Sequence, residues 1–224
     1  MKNSSGFTLI ETLIAIFTLG LIAAFTLPSL NSDFNEELII TKLKKYNTQL
    51  EIYYQKTLLK KGSPDIWHTK NIDGNIVLDF LFENVEISKS CKKNSRCLSR
   101  QNYYSLDGIK IGQIFSSSEN NGCALLTDGS FICIRALKNN CKTIIGSTPN
   151  VCGEIFLDLN GMSAPNALGK DTFVFYYTKT RIYPADGDLR IYCNKFYRGR
   201  LNGTACASWI LENNNMDYLT RRVH

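Results

Sequence analysis

Residues 6–30 read GFTLIETLIAIFTLGLIAAFTLPSL, and no other stretch restricts the chain as much. From position 7 to position 30 the run is apolar apart from Thr, Ser, Gly, Pro and a single acid, Glu11. A helix of roughly 20 such residues crosses the ~30 Å hydrocarbon layer of a bilayer. Two ordinary explanations are a plain membrane anchor and a cleaved secretory signal peptide. Glu11 fits neither well. A carboxylate within a spanning helix costs on the order of 2–3 kcal/mol on insertion scales, and such groups are usually paired and functional. The single Lys2 ahead of the run, and the lack of an A-x-A site after it, weaken the signal-peptide reading further.

The residues in front of the run complete the pattern. MKNSSG is short, polar and mildly basic, and Phe7, Thr8, Leu9, Ile10 and Glu11 follow Gly6 at once. This arrangement resembles the class III signal of type IV prepilins and type II secretion pseudopilins. In that family a membrane-embedded aspartyl peptidase cuts after the Gly that ends the leader. The same enzyme methylates the new N-terminal amine, commonly on Phe, with Glu four residues further on. The resemblance implies cleavage between Gly6 and Phe7, N-methylation of Phe7, and an assembly role for Glu11. It is specific over residues 1–30 and weak beyond them.

The physics of these positions agrees with the resemblance. Cleavage on the cytoplasmic side would leave the apolar helix in the mature protein. The resemblance then implies that Glu11 pairs with the Phe7 amine of a neighbouring subunit while a filament grows. A buried charge is costly alone and tolerable when paired, so one carboxylate can act as a register key. Gly20 and Pro28 also stand where many type IV pilins carry a helix-loosening Gly and a Pro. Proline removes a hydrogen bond and clashes with the preceding turn; an ordinary kinked span explains these two residues equally well.

Beyond residue 30 the polarity rises while helical periodicity continues. Phe34, Leu38, Leu43, Tyr46, Leu50, Tyr53 and Leu58 recur at three- to five-residue steps, an amphipathic stripe with charged residues between. This predicts one helix over residues 7–59, about 80 Å long at 1.5 Å per residue, stopped by Lys60-Lys61-Gly62-Ser63-Pro64. The expected organisation is a leader (1–6), a transmembrane and assembly helix (7–30), its amphipathic continuation (31–60) and one globular β-rich head (61–224).

Eight Cys, all between Cys91 and Cys206, follow the export segment, a combination that points to disulfides in an oxidising compartment. Within the head, Cys123-Ala-Leu-Leu, then Thr127-Asp128-Gly129, then Ser130-Phe-Ile-Cys133 reads strand, turn, strand. With Gly129 in the left-handed position, Leu126 faces Ser130, and equal steps outward put Cys123 opposite Cys133 within bridging distance. The other pairings, Cys91–Cys97, Cys141–Cys152 and Cys193–Cys206, are nearest-neighbour choices. Metal binding by Cys is disfavoured, since there is no C-x-x-C and only His68 and His224 exist.

Elsewhere in the head, residues 76–82 read as a short helix or strand, 103–115 as a hairpin around Asp107-Gly108, 189–192 as a strand, and 207–213 as a short apolar segment, helical in outline. Residues 153–177 place two strand-like runs around a turn dense in Asp, Asn, Gly and Pro. Its D-x-N-G…P-N…G-x-D pattern resembles a loop in the heads of pseudopilin-like proteins. Asp158, Asn160, Asn166 and Asp171 are hard oxygen donors that could hold Ca²⁺, but Asx-turns in a structured hairpin loop are the favoured reading, and no cofactor is expected.

No G-x-S-x-G, H-E-x-x-H, P-loop or G-x-G-x-x-G after a strand is present. Asp186 and Asp188, in PADGD, read as turn residues rather than a catalytic pair. The net charge of +6, one lower once Lys2 leaves with the leader, permits contact with polyanions without arguing for it. Aromatic and basic residues do alternate at Lys195-Phe-Tyr-Arg198-Gly-Arg200, a pattern suited to stacking and phosphate contact.

The sequence therefore predicts an α+β chain in which a long N-terminal helix packs on an antiparallel, disulfide-braced sheet. The resemblance implies a structural subunit of a type IV pilus or type II secretion filament, without enzymatic activity. Its implied partners are other such subunits, the prepilin peptidase, an inner-membrane assembly platform and lipid. Its implied place is the bacterial inner membrane in a single pass, with the head in the periplasm or on an extracellular filament. A minor subunit binding DNA or another ligand at a filament tip is the alternative, and a membrane-anchored enzyme a further one.

Overall fold

The computed structural model describes residues 9–67, 73–83, 85, 87–91, 102–114, 121–138, 140–161 and 163–223, without the side chains of residues 23–34. Gly6, Phe7, His68, Cys97 and His224 lie outside the described residues. Two compact units emerge, Met1–Leu38 and Ile39–His224.

Helix α1 (Leu9–Lys61) is continuous, passing through Gly20 and Pro28 without a break. Pro28 withholds the N–H that would reach the carbonyl four residues back. The helix ends two residues later than expected, at Gly62, whose φ of +75° suits a residue without Cβ. The Gly62 N–H donates to the Leu58 carbonyl at 2.9 Å.

The second unit is built on one sheet. Its strands are β1 (Ile87–Cys91), β4 (Asn121–Leu126), β5 (Phe131–Ala136), β7 (Thr148–Asp158), β8 (Thr172–Thr178) and β9 (Ile182–Pro184), ordered β1-β4-β5-β7-β8-β9, with β6 (Thr143–Ile145) paired to β7. Every pairing is antiparallel. A separate hairpin joins β2 (Tyr103–Tyr104) and β3 (Lys110–Gly112).

The period of two along these strands divides the core. Ile132, Ile134, Ile155, Leu157, Phe173, Phe175 and Tyr177 face α1 residues Leu43, Tyr46, Leu50 and Tyr54 in one cluster. Phe131, Cys133, Phe156, Val174 and Tyr176 fill the opposite face. The helical positions fall at steps of three and four, the side of a helix that meets a sheet. Tyr54 is fully buried; Tyr53, placed in the stripe by the sequence, packs at its margin. Leu38, also in the stripe, is 46% exposed, and the side chain of Phe34 lies outside the described residues. From Ile39 onward, α1 residues pack in this cluster.

Polar contacts fasten this part of α1 to the sheet. The Tyr46 hydroxyl donates to Asp128 Oδ1 at 2.7 Å, the Tyr54 hydroxyl to the Thr178 carbonyl, and Glu51 Oε2 accepts the Ile182 N–H at 2.8 Å. Helix α2 (Gly74–Leu81), capped by Asp73, resolves the ambiguous 76–82 run as helix. It packs so closely on β4 that a Cβ on Gly122 would stand 2.3 Å from the Gly74 carbonyl oxygen. The Asp107-Gly108 turn does lie between β2 and β3, and the last apolar segment forms α4 (Cys206–Asn213).

One element differs in kind from the sequence expectation. Leu189–Tyr192 is a single helical turn, α3, not a strand. Asp188 caps it by accepting the Arg190 N–H at 3.0 Å, and a capped turn of four residues leaves too little chain to show a period.

Disulfides join Cys123–Cys133, Cys141–Cys152 and Cys193–Cys206. The first links directly paired residues of β4 and β5, 4.1 Å apart at Cα. Cys91 is bonded as well; the partner expected for it, Cys97, is outside the described residues.

Among the described residues no helix is long and apolar enough to cross a membrane. The side chains described in the apolar run stop at Ile22, short of the roughly 20 residues a span needs.

Candidate functional site

The start of α1 is unlike any other surface among the described residues. Leu9, Ile10, Leu13, Ile14, Ile16, Phe17, Leu19, Leu21 and Ile22 are all exposed, from 44% to 83%. At 100° per residue these positions surround the helix, leaving no polar face to turn toward water. A helix apolar all round belongs inside protein or lipid. Glu11 is the acid of the first turn, where a carboxylate is favoured by the positive end of the helix dipole. Gly20 has open space around it, with nothing within 4 Å of a Cβ placed there. An intimate partner helix would find its backbone accessible at that point.

This surface is suited to association. Its energy comes from burying apolar surface, at about 25 cal/mol per Å².

The head gathers the four candidate oxygen donors of the β7–β8 loop. Asp171 accepts the Asn166 N–H at 2.8 Å through Oδ2 and the Ala167 N–H at 2.7 Å through Oδ1. Asn160 Nδ2 donates to the same Oδ2 at 3.2 Å. Asp158 accepts the Asn160 N–H at 3.3 Å, and the hydroxyls of Tyr103 at 3.3 Å and Thr172 at 3.4 Å. Burial, and then the neighbouring Asp171, push the Asp158 carboxyl up to about 8; burial also raises that of Asp171.

Around these acids N–H and O–H donors converge, the surroundings of carboxyl groups held by the chain. A hard cation needs converging oxygen acceptors. The residues do not fit Ca²⁺, and among the described residues no group of three His, Cys, Asp or Glu could hold a metal. The sequence offered no sign of Tyr103 here, because it joins Asp158 across 55 residues. Asp186 and Asp188 serve different partners: Asp186 accepts from Ser147 and Asp188 pairs with Arg190 at 2.8 Å.

The basic and aromatic stretch 195–200 lies on a braced loop. The Cys193–Cys206 bridge closes it, and buried Asn202 donates through Nδ2 to the carbonyls of Asn194 at 2.7 Å and Tyr197 at 2.6 Å. Held this way, Phe196 is 53% and Tyr197 41% exposed, with Lys195 and Arg198 exposed beside them.

Residues 1–27 match the family described as the prokaryotic N-terminal methylation motif, the prepilin signal of type IV pilins and pseudopilins. No curated protein and no solved structure gives a significant match to the chain.

Proposed function

We propose that the chain is the precursor of a pilin-like or pseudopilin subunit, processed at Gly6, N-methylated on Phe7 and polymerised through α1. One observation carries the reading. The N-terminal methylation motif at residues 1–27 runs straight into a helix whose apolar side chains are exposed on every side, with one acid in its first turn. The motif supplies a processed amine, and Glu11 supplies the carboxylate to meet it in a neighbouring subunit. Before assembly the apolar segment rests in the inner membrane, with the disulfide-braced head on the oxidising side. In this reading the role is structural, and no group is assigned to catalysis.

Intact mass and N-terminal sequencing of the full chain, expressed with and without a prepilin peptidase, test the proposal. The expected product begins at Phe7 and is heavier by one methyl group. An uncut N-terminus in the presence of active peptidase overturns the reading. Glu11→Gln is expected to leave cleavage intact and to reduce recovered filaments by tenfold or more; unchanged filament yield would remove Glu11 from assembly.

The exposed Phe196 and Tyr197, flanked by Lys195 and Arg198 on a loop held rigid from behind, favour a second reading. In it, a minor subunit presents this loop to single-stranded nucleic acid by stacking and phosphate contact. Retention of single-stranded DNA by the full-length protein, falling steeply with salt and lost in Phe196→Ala/Tyr197→Ala, is expected. No retention at low salt would eliminate it.

A further inference from the structure

A cavity of about 390 Å³ opens on the face of the sheet turned away from Leu43, Leu50 and Tyr54. That volume falls within the range of small-molecule sites. Its floor is apolar and buried: Leu168, Phe156, Val174 and Tyr176 are each 7% exposed or less. Ile111, Ile145, Tyr192 and the 61% exposed Leu201 form its walls and mouth. Gly146, which also lines it, leaves room beside Asp186, whose Oδ1 would stand 2.9 Å from a Cβ at that position.

The polar groups of the cavity are unequally satisfied. Arg135 donates to Glu154 Oε2 at 3.1 Å and to the Ile114 carbonyl at 3.0 Å, and it stacks 5.1 Å from the Phe156 ring centre. Arg200, exposed at the rim, donates to the Ile111 carbonyl at 3.1 Å. Glu154 has one cationic neighbour, and burial still outweighs that neighbour, raising its carboxyl above the usual range. Asp186 accepts from Ser147 through Oδ2, while its Oδ1 is buried without a hydrogen-bond partner. Tyr176 lies within the field of Glu154, Asp186 and Tyr192, which together with burial suppress its ionisation.

These groups set the sign of what the cavity accepts. An anion would enter between two carboxylates, with the inner guanidinium already paired to Glu154. A neutral apolar molecule would bring no donor to either acid, and a carboxylate oxygen left unpaired when water is displaced is costly. A cation relieves both, and aromatic faces favour it further. We propose that this cavity binds a small organic cation, an alkyl- or aryl-ammonium. Its apolar body lies on Phe156, Val174 and Tyr176, and its N–H groups turn to Asp186 and Glu154. The proposal is independent of how α1 assembles, because every residue it uses lies between Ile111 and Thr204.

The test uses full-length protein in a neutral maltoside detergent, titrated by calorimetry with three matched probes: phenethylammonium, 2-phenylethanol and 3-phenylpropionate. Saturable binding of the ammonium is expected, at least tenfold tighter than the neutral and anionic probes. Asp186→Asn is expected to weaken it about tenfold, about 1.4 kcal/mol. Leu201→Lys, a change at an exposed position that keeps the fold, is expected to weaken the ammonium alone by placing a like charge at the mouth. Absence of saturable ammonium binding overturns the proposal. So does equal or tighter binding of the anion or alcohol, or an ammonium affinity unchanged in Leu201→Lys.

Discussion

Asp158 shows how a single residue changes meaning between sequence and fold. In the sequence it opens D-x-N-G and passes as a turn former or a cation ligand. In the structure it is 1% exposed, beside a second buried acid, with its carboxyl pushed up to about 8 from an ordinary 3.8. The folded protein therefore keeps a proton that the unfolded chain has already released between about pH 4 and pH 8. Where the native state binds more protons than the unfolded one, stability falls as pH rises. Asp158→Asn removes this term. Its melting temperature relative to wild type is expected to climb steadily from pH 5 to pH 8, as followed by circular dichroism; a pH-independent difference would refute the assignment. The Asp residue was legible, but its protonation was not, because Tyr103 and Asp171 reach it only through the tertiary fold.

At the scale of elements, local pattern served where one element carries its own signal. The β4–β5 hairpin was legible because turn and register are set within a few residues: Gly129 has φ +85°, and Cys123 pairs with Cys133. Replacing both Cys with Ser is expected to lower stability by about 2–3 kcal/mol, since the bridge closes a loop across 10 positions; urea denaturation measures it. The amphipathic part of α1 was legible as a helix and only partly as a face. Tyr53 and Tyr54 are equally apolar in sequence, and the direction of the sheet selects Tyr54, whose hydroxyl bonds to Thr178. Leu50, 1% exposed between helix and sheet, is expected to cost about 2–5 kcal/mol as Leu50→Ala in the same assay. Helix α3 was misread as a strand because four residues contain no period, and the deciding contact is the Asp188 cap.

For the whole molecule, the division into Met1–Leu38 and Ile39–His224 predicts an autonomous head. A fragment of residues 39–224, oxidised, is expected to unfold in one cooperative transition and to remain soluble without the apolar run. A non-cooperative melt would mean that the core needs more of the chain. By itself the sequence determined an apolar helix that must be covered, one acid within it, an N-terminal methylation motif over residues 1–27, and a disulfide-braced β-rich head after it. These are properties of contiguous residues, in which composition and spacing act within a few turns or one hairpin. The tertiary structure decided where the head's core begins along α1. It also decided which acids are buried together and that Arg135, Glu154, Phe156, Tyr176 and Asp186 surround one cavity. Those outcomes depend on residues far apart in the chain sharing a small, dry volume, and desolvation there is fixed only once strands and helix have packed.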